Sequence, residues 1–168
     1  MTILIAHRGL LDGPNLVDEN NPNIIEYARE KNYDVELDLR YINNEWWLGH
    51  DYPAYKIDLN WLLKINNFDN KLLIGNLWIH AKNIKTLYEL KRINWAGHVF
   101  FHQNDDVTLT STGYLWTYPG KLLTPFSICV MPEWTDLSNS ITLNYNKIYG
   151  FCTDYINQVD KILINNSL

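Results

Sequence analysis

Apolar and polar residues recur along the chain with two different periods, and the switches between them mark out the elements. The run Ile3-Leu4-Ile5-Ala6 is continuously apolar and short, as in a strand buried on both faces. Residues 34–40 alternate instead: Val35, Leu37 and Leu39 share one face, Glu36, Asp38 and Arg40 the other. Between these two strands, Pro22 sits where it can open a helix reaching about Lys31. Asn43-Asn44 is a two-residue turn signal, so 46–49 is predicted to fold back on the second strand. Further on, the pattern predicts a short helix near 59–65, a strand over 72–80 and a helix over 84–92. Strands follow over 98–102, 113–117 and 127–131, then a short helix or loop over 135–145, a strand over 147–152 and a last helix over 155–164.

Strands alternating with helices argue for a parallel α/β sheet. The connections 103–112 and 119–126 are too short for crossover helices, which need roughly 10 to 12 residues or more in all. A full eight-fold α/β barrel takes about 250 residues, and this chain has 168. The expectation is therefore one α/β domain over 1–168, a shortened (β/α) TIM-type barrel with seven or eight strands and reduced helices in its second half. A small open α/β sheet is the competing architecture, but the turn after the first strand lacks a glycine-rich phosphate loop.

Composition narrows the partners. Hydrophobic content of 46% and charged content of 20% belong to a globular chain long enough to bury a core. A formal charge of −5 with no basic run argues against a nucleic-acid partner. No apolar run approaches a membrane span, and the N-terminal stretch has neither the basic nor the apolar region of a signal peptide, so a soluble cytoplasmic protein is expected. Cys129 and Cys152 fall on predicted buried strands without a C-x-x-C spacing and read as small core residues. Nothing in the pattern sets the oligomeric state.

The chemistry-bearing residues collect at strand ends. Glu36 and Asp38 share a face with Cα atoms roughly 6.6 Å apart at the usual strand rise. Such a pair repels, and its burial requires a cation or a hydrogen-bond network. A hard divalent ion with oxygen ligands meets that need; a solvated edge face, or pairing with Arg40, is the bland alternative. His7-Arg8-Gly9 closes the first strand, and the hairpin carries His50 back toward the carboxylates, with Asp51 beside it to orient the ring. Two imidazoles near a metal and an arginine form a working set for phosphoryl transfer. Trp78, His80 and Lys82 share another strand face; His102 lies near the predicted mouth, with packing an equal reading, while Trp116 and Tyr118 could wall a cleft but by default read as core. His98, at the opposite end of its strand, reads as structural.

His7-Arg8-Gly9, Glu19-Asn20, Glu36-Leu37-Asp38 and His50-Asp51, in this order, resemble the motifs of the glycerophosphodiester phosphodiesterase family within the phospholipase-C-like barrel superfamily. Ile79-His80-Ala81-Lys82 and Cys152-Thr153-Asp154 stand where that family has I-E-x-K and a final T-D or S-D pair. The resemblance implies a TIM-type barrel and a metal-dependent phosphodiesterase of lipid metabolism acting on a small glycerophosphodiester-like substrate. It implies one divalent ion on Glu36 and Asp38, Mg or Ca in the family. The family's third ligand, a glutamate, is replaced here by His80, which makes Mn or Zn possible; Glu133 is another candidate for the missing carboxylate. By the same resemblance His7 and His50 divide the acid and base roles, and Arg8 and Lys82 bind the phosphate; Glu19 is a candidate contact to the ion or the arginine, with an exposed acid at a helix start as the bland account. A lyase releasing a cyclic phosphate, and a degenerate barrel that binds a phosphate-containing ligand without turnover, remain open beside hydrolysis.

Overall fold

In the computed structural model, which describes residues 2–66 and 76–166, the first strand β1 (Ile3–His7) is followed by helix α1 (Pro22–Glu30). Pro22 occupies the first turn, where its missing N–H costs nothing, and the Asn21 side chain caps the helix by accepting from the Asn23 N–H. Strand β2 (Asp34–Ile42) turns through Asn43-Asn44 into β3 (Glu45–Leu48), and β4 (Tyr55–Ile57) and α2 (Leu59–Asn66) follow. Both asparagines have positive φ, 52° and 64°, as a two-residue hairpin turn that matches strand twist demands. Next come β5 (Leu77–Ala81), α3 (Ile84–Arg92), β6 (His98–Phe100), β7 (Val107–Leu109), β8 (Leu115–Thr117) and β9 (Ser127–Val130). A 3-10 turn at Pro132–Trp134, α4 (Leu137–Asn144), β10 (Gly150–Thr153) and α5 (Ile156–Asn166) complete the order.

All these strands belong to one sheet. Seven run parallel in the order β6-β5-β2-β1-β10-β9-β8. The hairpin β3-β4 extends the far end of β2 antiparallel, and β7 is antiparallel to β8. The sheet curls until its edges meet: just after β7, the Ser111 N–H donates to the Val99 carbonyl at 2.8 Å and its hydroxyl accepts from the Val99 N–H at 2.9 Å. This is a mixed α/β fold whose curled sheet is compatible with a partial barrel.

Alternation assigns the two sides of the sheet. Val35, Leu37, Leu39, Leu77 and Ile79 pack against Ile25, Ala28, Leu62 and Leu90 of the helices on the convex side. Each such buried aliphatic side chain contributes about 1.5–3 kcal/mol. On the concave side Ile5, Trp78, Phe100, Trp116, Ile128 and Val130 form a second cluster, while α4 and α5 cover Cys129 and Phe151 from outside. The two cysteines are buried and free, on opposite sides of the sheet, and burial pushes the Cys129 thiol up to about 12.

The short strands β4 and β7 were not predicted; with three residues each they carry too little alternation to register. They account for ten strands where seven or eight were expected. The strand predicted over 72–80 is observed from Leu77, with 72–75 lying outside the described residues. The strand predicted over 98–102 stops at Phe100, which moves His102 into a loop. Among the described residues no helix lies between β6 and β9, as the connection lengths required.

Candidate active site

The parallel strands all end on one side, and the side chains at those ends ring a cavity of about 510 Å³. His7 and Arg8 come from the end of β1, Glu36 and Asp38 from β2, His50 from the loop after β3, and His80 and Lys82 from the end of β5. The opposite wall is largely aromatic: Phe101, His102, Trp116, Tyr118 and Trp134.

Glu36 and Asp38 point into the concave side, as alternation requires, and are almost completely buried. One carboxylate oxygen of each and a nitrogen of His80 lie within 4.8 Å of one another. Arg8 adopts φ 52°, in the left-handed region, where its N–H donates to Glu36 Oε2 at 3.2 Å. Its guanidinium reaches Glu19 at 2.6 Å and, through Nε, Asp38 Oδ2 at 3.2 Å. That network holds a residue in a conformation costing of order 1–3 kcal/mol. The other Asp38 oxygen, Oδ1, has His80 Nδ1 at 3.1 Å and Lys82 Nζ at 3.4 Å, yet neither completes a hydrogen bond. A buried carboxylate oxygen without a hydrogen bond, beside a second carboxylate and an imidazole, is a donor set that fits a divalent cation.

Electrostatics separate the pair. Burial pushes the Glu36 carboxyl up, and the neighbouring Asp38 charge pushes it further. Burial would also raise Asp38, but His80, Arg8 and Lys82 outweigh it and hold that carboxyl well below the usual carboxylate range.

The two histidines are each braced by an aspartate. His7 Nδ1 donates to Asp154 Oδ1 at 2.8 Å, which leaves Nε2 on the Glu36 side, 3.9 Å from its carboxylate. Burial lowers the His7 pKa, but the bond to Asp154 and the field of Glu36 turn the balance upward. His50 Nδ1 donates to Asp51 at 2.8 Å, and burial together with Arg8 and Lys82 lowers its pKa against the pull of Asp38. Arg40 holds the His50 loop by donating to the carbonyls of Gly49, at 3.0 Å, and His50; it pairs with neither carboxylate, so that alternative is set aside.

Glu133, expected as a possible third carboxylate ligand, does not join the Glu36, Asp38 and His80 donors and does not line the cavity: its carboxylate accepts from the Thr153 hydroxyl at 2.8 Å and the Asp154 N–H at 2.9 Å. Glu19 reaches the arginine, not the carboxylate pair. His102 stacks on His80, with ring centroids 4.5 Å apart at 9°, and its Nε2 is 3.3 Å from the Tyr118 hydroxyl. Burial, with His80 and Lys82 nearby, depresses its pKa to about 4. His98 sits away from the cavity, stacked on Trp78 at 3.6 Å, and burial depresses it to about 4 as well.

Three residues entered no predicted site. Asn20, fully buried, donates to Asp38 Oδ2 and accepts from the Asp38 N–H, both at 2.9 Å. Asp154 braces His7, and Trp134 caps the aromatic wall. Asn20 and Asp154 themselves belong to the motifs Glu19-Asn20 and Cys152-Thr153-Asp154, where neither was given a role, and that is the signal that could have found them; Trp134 carries none. No helix among the described residues is long and apolar enough to cross a membrane. No family model matches the chain, and neither a curated protein nor a solved structure matches it.

Proposed function

We propose that this chain is a metal-dependent phosphodiesterase on a shortened TIM-type barrel, cleaving a small glycerophosphodiester-like substrate. The observation that carries the reading is the meeting of two buried carboxylates and an imidazole, donor atoms within 4.8 Å, in a cavity that two cationic side chains and three further histidines also line. Glu36, Asp38 and His80 would hold the ion; the mixed oxygen and nitrogen donors suit Mn or Zn, and the carboxylates also accept Mg or Ca. A divalent ion bound there supplies Lewis acidity to a phosphate oxygen and lowers the pKa of an attacking hydroxyl.

Arg8 and Lys82 bind the remaining phosphate oxygens and offset the charge that builds toward the transition state. Of His7 and His50, one removes the nucleophile's proton and the other protonates the leaving alcohol, each through the Nε2 that its aspartate leaves open. Opposite shifts in their pKa values favour such a division of labour. Asp154 and Asp51 fix ring orientation. Trp116, the buried member of the aromatic wall, lowers the local dielectric and strengthens the charge interactions beside it.

The test is hydrolysis of bis(4-nitrophenyl) phosphate and of a glycerophosphodiester with Mg, Ca, Mn or Zn, with and without chelator. Chelation, Glu36→Gln and His50→Ala should each cut the rate by at least a hundredfold. Phosphorus NMR of the phosphate-bearing product separates hydrolysis, which leaves a phosphomonoester, from cyclisation, which leaves a cyclic phosphodiester. Turnover indifferent to chelator and to both variants, or no turnover with any of the four ions, sinks the proposal.

A further inference from the structure

The cavity does not stop at its charged wall. Gln103, Tyr118 and Trp134 line it and also line a neighbouring chamber of about 560 Å³, so the two spaces share one partition. Asn104, Asp105, Asp106, Pro119 and Thr135 complete the second chamber's wall. The Tyr118 and Trp134 rings lie 5.9 Å apart, inclined by 22°, and Trp134 is 65% exposed. An indole left this open to water at the junction of two cavities is a surface a ligand can cover.

The charges in this chamber differ from those at the phosphate site. Asp106 is neutralised by Lys121 at 2.7 Å. Asp105 takes only a 3.4 Å hydrogen bond from the Gln103 N–H, and among the described residues no cation pairs with it. Aromatic faces carry negative quadrupole potential, and a carboxylate without a counter-ion adds to it, so the chamber favours positive charge and penalises negative. Arg8 and Lys82, on the far wall of the first cavity, favour the reverse. A ligand matching both spaces is anionic at one end and cationic at the other.

We propose that the second chamber is a subsite for one alcohol arm of the phosphodiester, selecting an arm that ends in an ammonium group, against Tyr118 and Trp134 with Asp105 supplying the counter-charge. This rests on the phosphodiesterase reading for the phosphate end alone. A neutral aromatic arm would also stack on the rings but would gain nothing from Asp105, which makes charge the discriminating variable.

The experiment is calorimetric titration of the whole chain with 2-(trimethylammonio)ethyl phosphate and with its uncharged isostere, 3,3-dimethylbutyl phosphate. The charged probe should bind about tenfold more tightly, the size of one favourable cation–π contact. In Trp134→Leu and in Asp105→Asn, both exposed positions whose replacement spares the core, the ratio of the two affinities should fall toward one. Equal affinities in the unaltered protein, tighter binding of the neutral probe, or a ratio untouched by both substitutions overturns the subsite. Neither result depends on turnover: a tenfold ratio with no hydrolysis of any phosphodiester would refute the enzyme and keep the subsite, and active enzyme with a ratio of one would do the opposite.

Discussion

Asn20 makes a measurable claim about how Asp38 is held. Its amide donates to Asp38 Oδ2 and accepts from the Asp38 N–H, both at 2.9 Å in a fully buried setting, while its own backbone sits at φ 59°. Asn20→Gly removes both bonds and keeps the backbone at ease, since glycine accepts positive φ without penalty. The lost bond to a carboxylate is worth about 1.5–3 kcal/mol and the stranded Asp38 N–H costs about 1–3 kcal/mol. A loss near 3 kcal/mol is expected, allowing for water entering the space. Asn20→Ala loses the same bonds and, unlike the glycine variant, keeps a Cβ at positive φ, for about 1–2 kcal/mol more than glycine. Urea unfolding followed by tryptophan fluorescence reads both, because a slope of about 1–3 kcal/mol per molar turns these losses into midpoint shifts above 1 M. If Asn20→Gly unfolds within about 1 kcal/mol of the unaltered protein, Asp38 is held by its cations alone and the clamp is wrong. If the alanine and glycine variants coincide, the backbone contribution is wrong.

Glu133→Ala should cut turnover at least tenfold and Glu133→Gln much less, because glutamine retains an acceptor for the Asp154 N–H; steady-state kcat beside the unfolding midpoint separates this from simple destabilisation. His98 ties acid sensitivity to burial. Its folded pKa of about 4 lies below the unfolded value of about 6.5, so protons favour the unfolded chain, and its contribution to stability is full above pH 6.5 and lost as pH falls toward 4. Between pH 7 and pH 5 it should cost about 2 kcal/mol, read as a urea midpoint shift that His98→Phe reduces; a variant as acid-sensitive as the parent refutes it.

Local patterns were legible in the sequence where the physics is local. Alternation placed Val35, Leu37 and Leu39 against helices and sent Glu36 and Asp38 to the other side, because a pleated strand leaves no third option. Asn43-Asn44 marked its hairpin because few residues accept two successive positive φ angles. The bare connections after β6 and β8 followed from residue count alone. Long-range partnership was not legible. Glu133, a carboxylate after a predicted strand, had the right type for a metal ligand, and only the position of β10 beside β9 shows it engaged with Thr153 and Asp154. Likewise Asn20 meets Asp38 across 18 positions, and no periodicity spans that distance.

The middle of the sheet is stitched from opposite ends of the chain: Ile3 lies beside Gly150, and His7 finds its aspartate 147 positions later. Parallel pairing over such a separation is entropically expensive to nucleate, so folding should be slow for a protein of this size. During synthesis β1 waits, one edge unfilled, until Gly150–Thr153 has left the ribosome. A newly made molecule therefore acquires His7 in its braced orientation only as β10 docks, and truncation before that strand leaves the imidazole without its anchor.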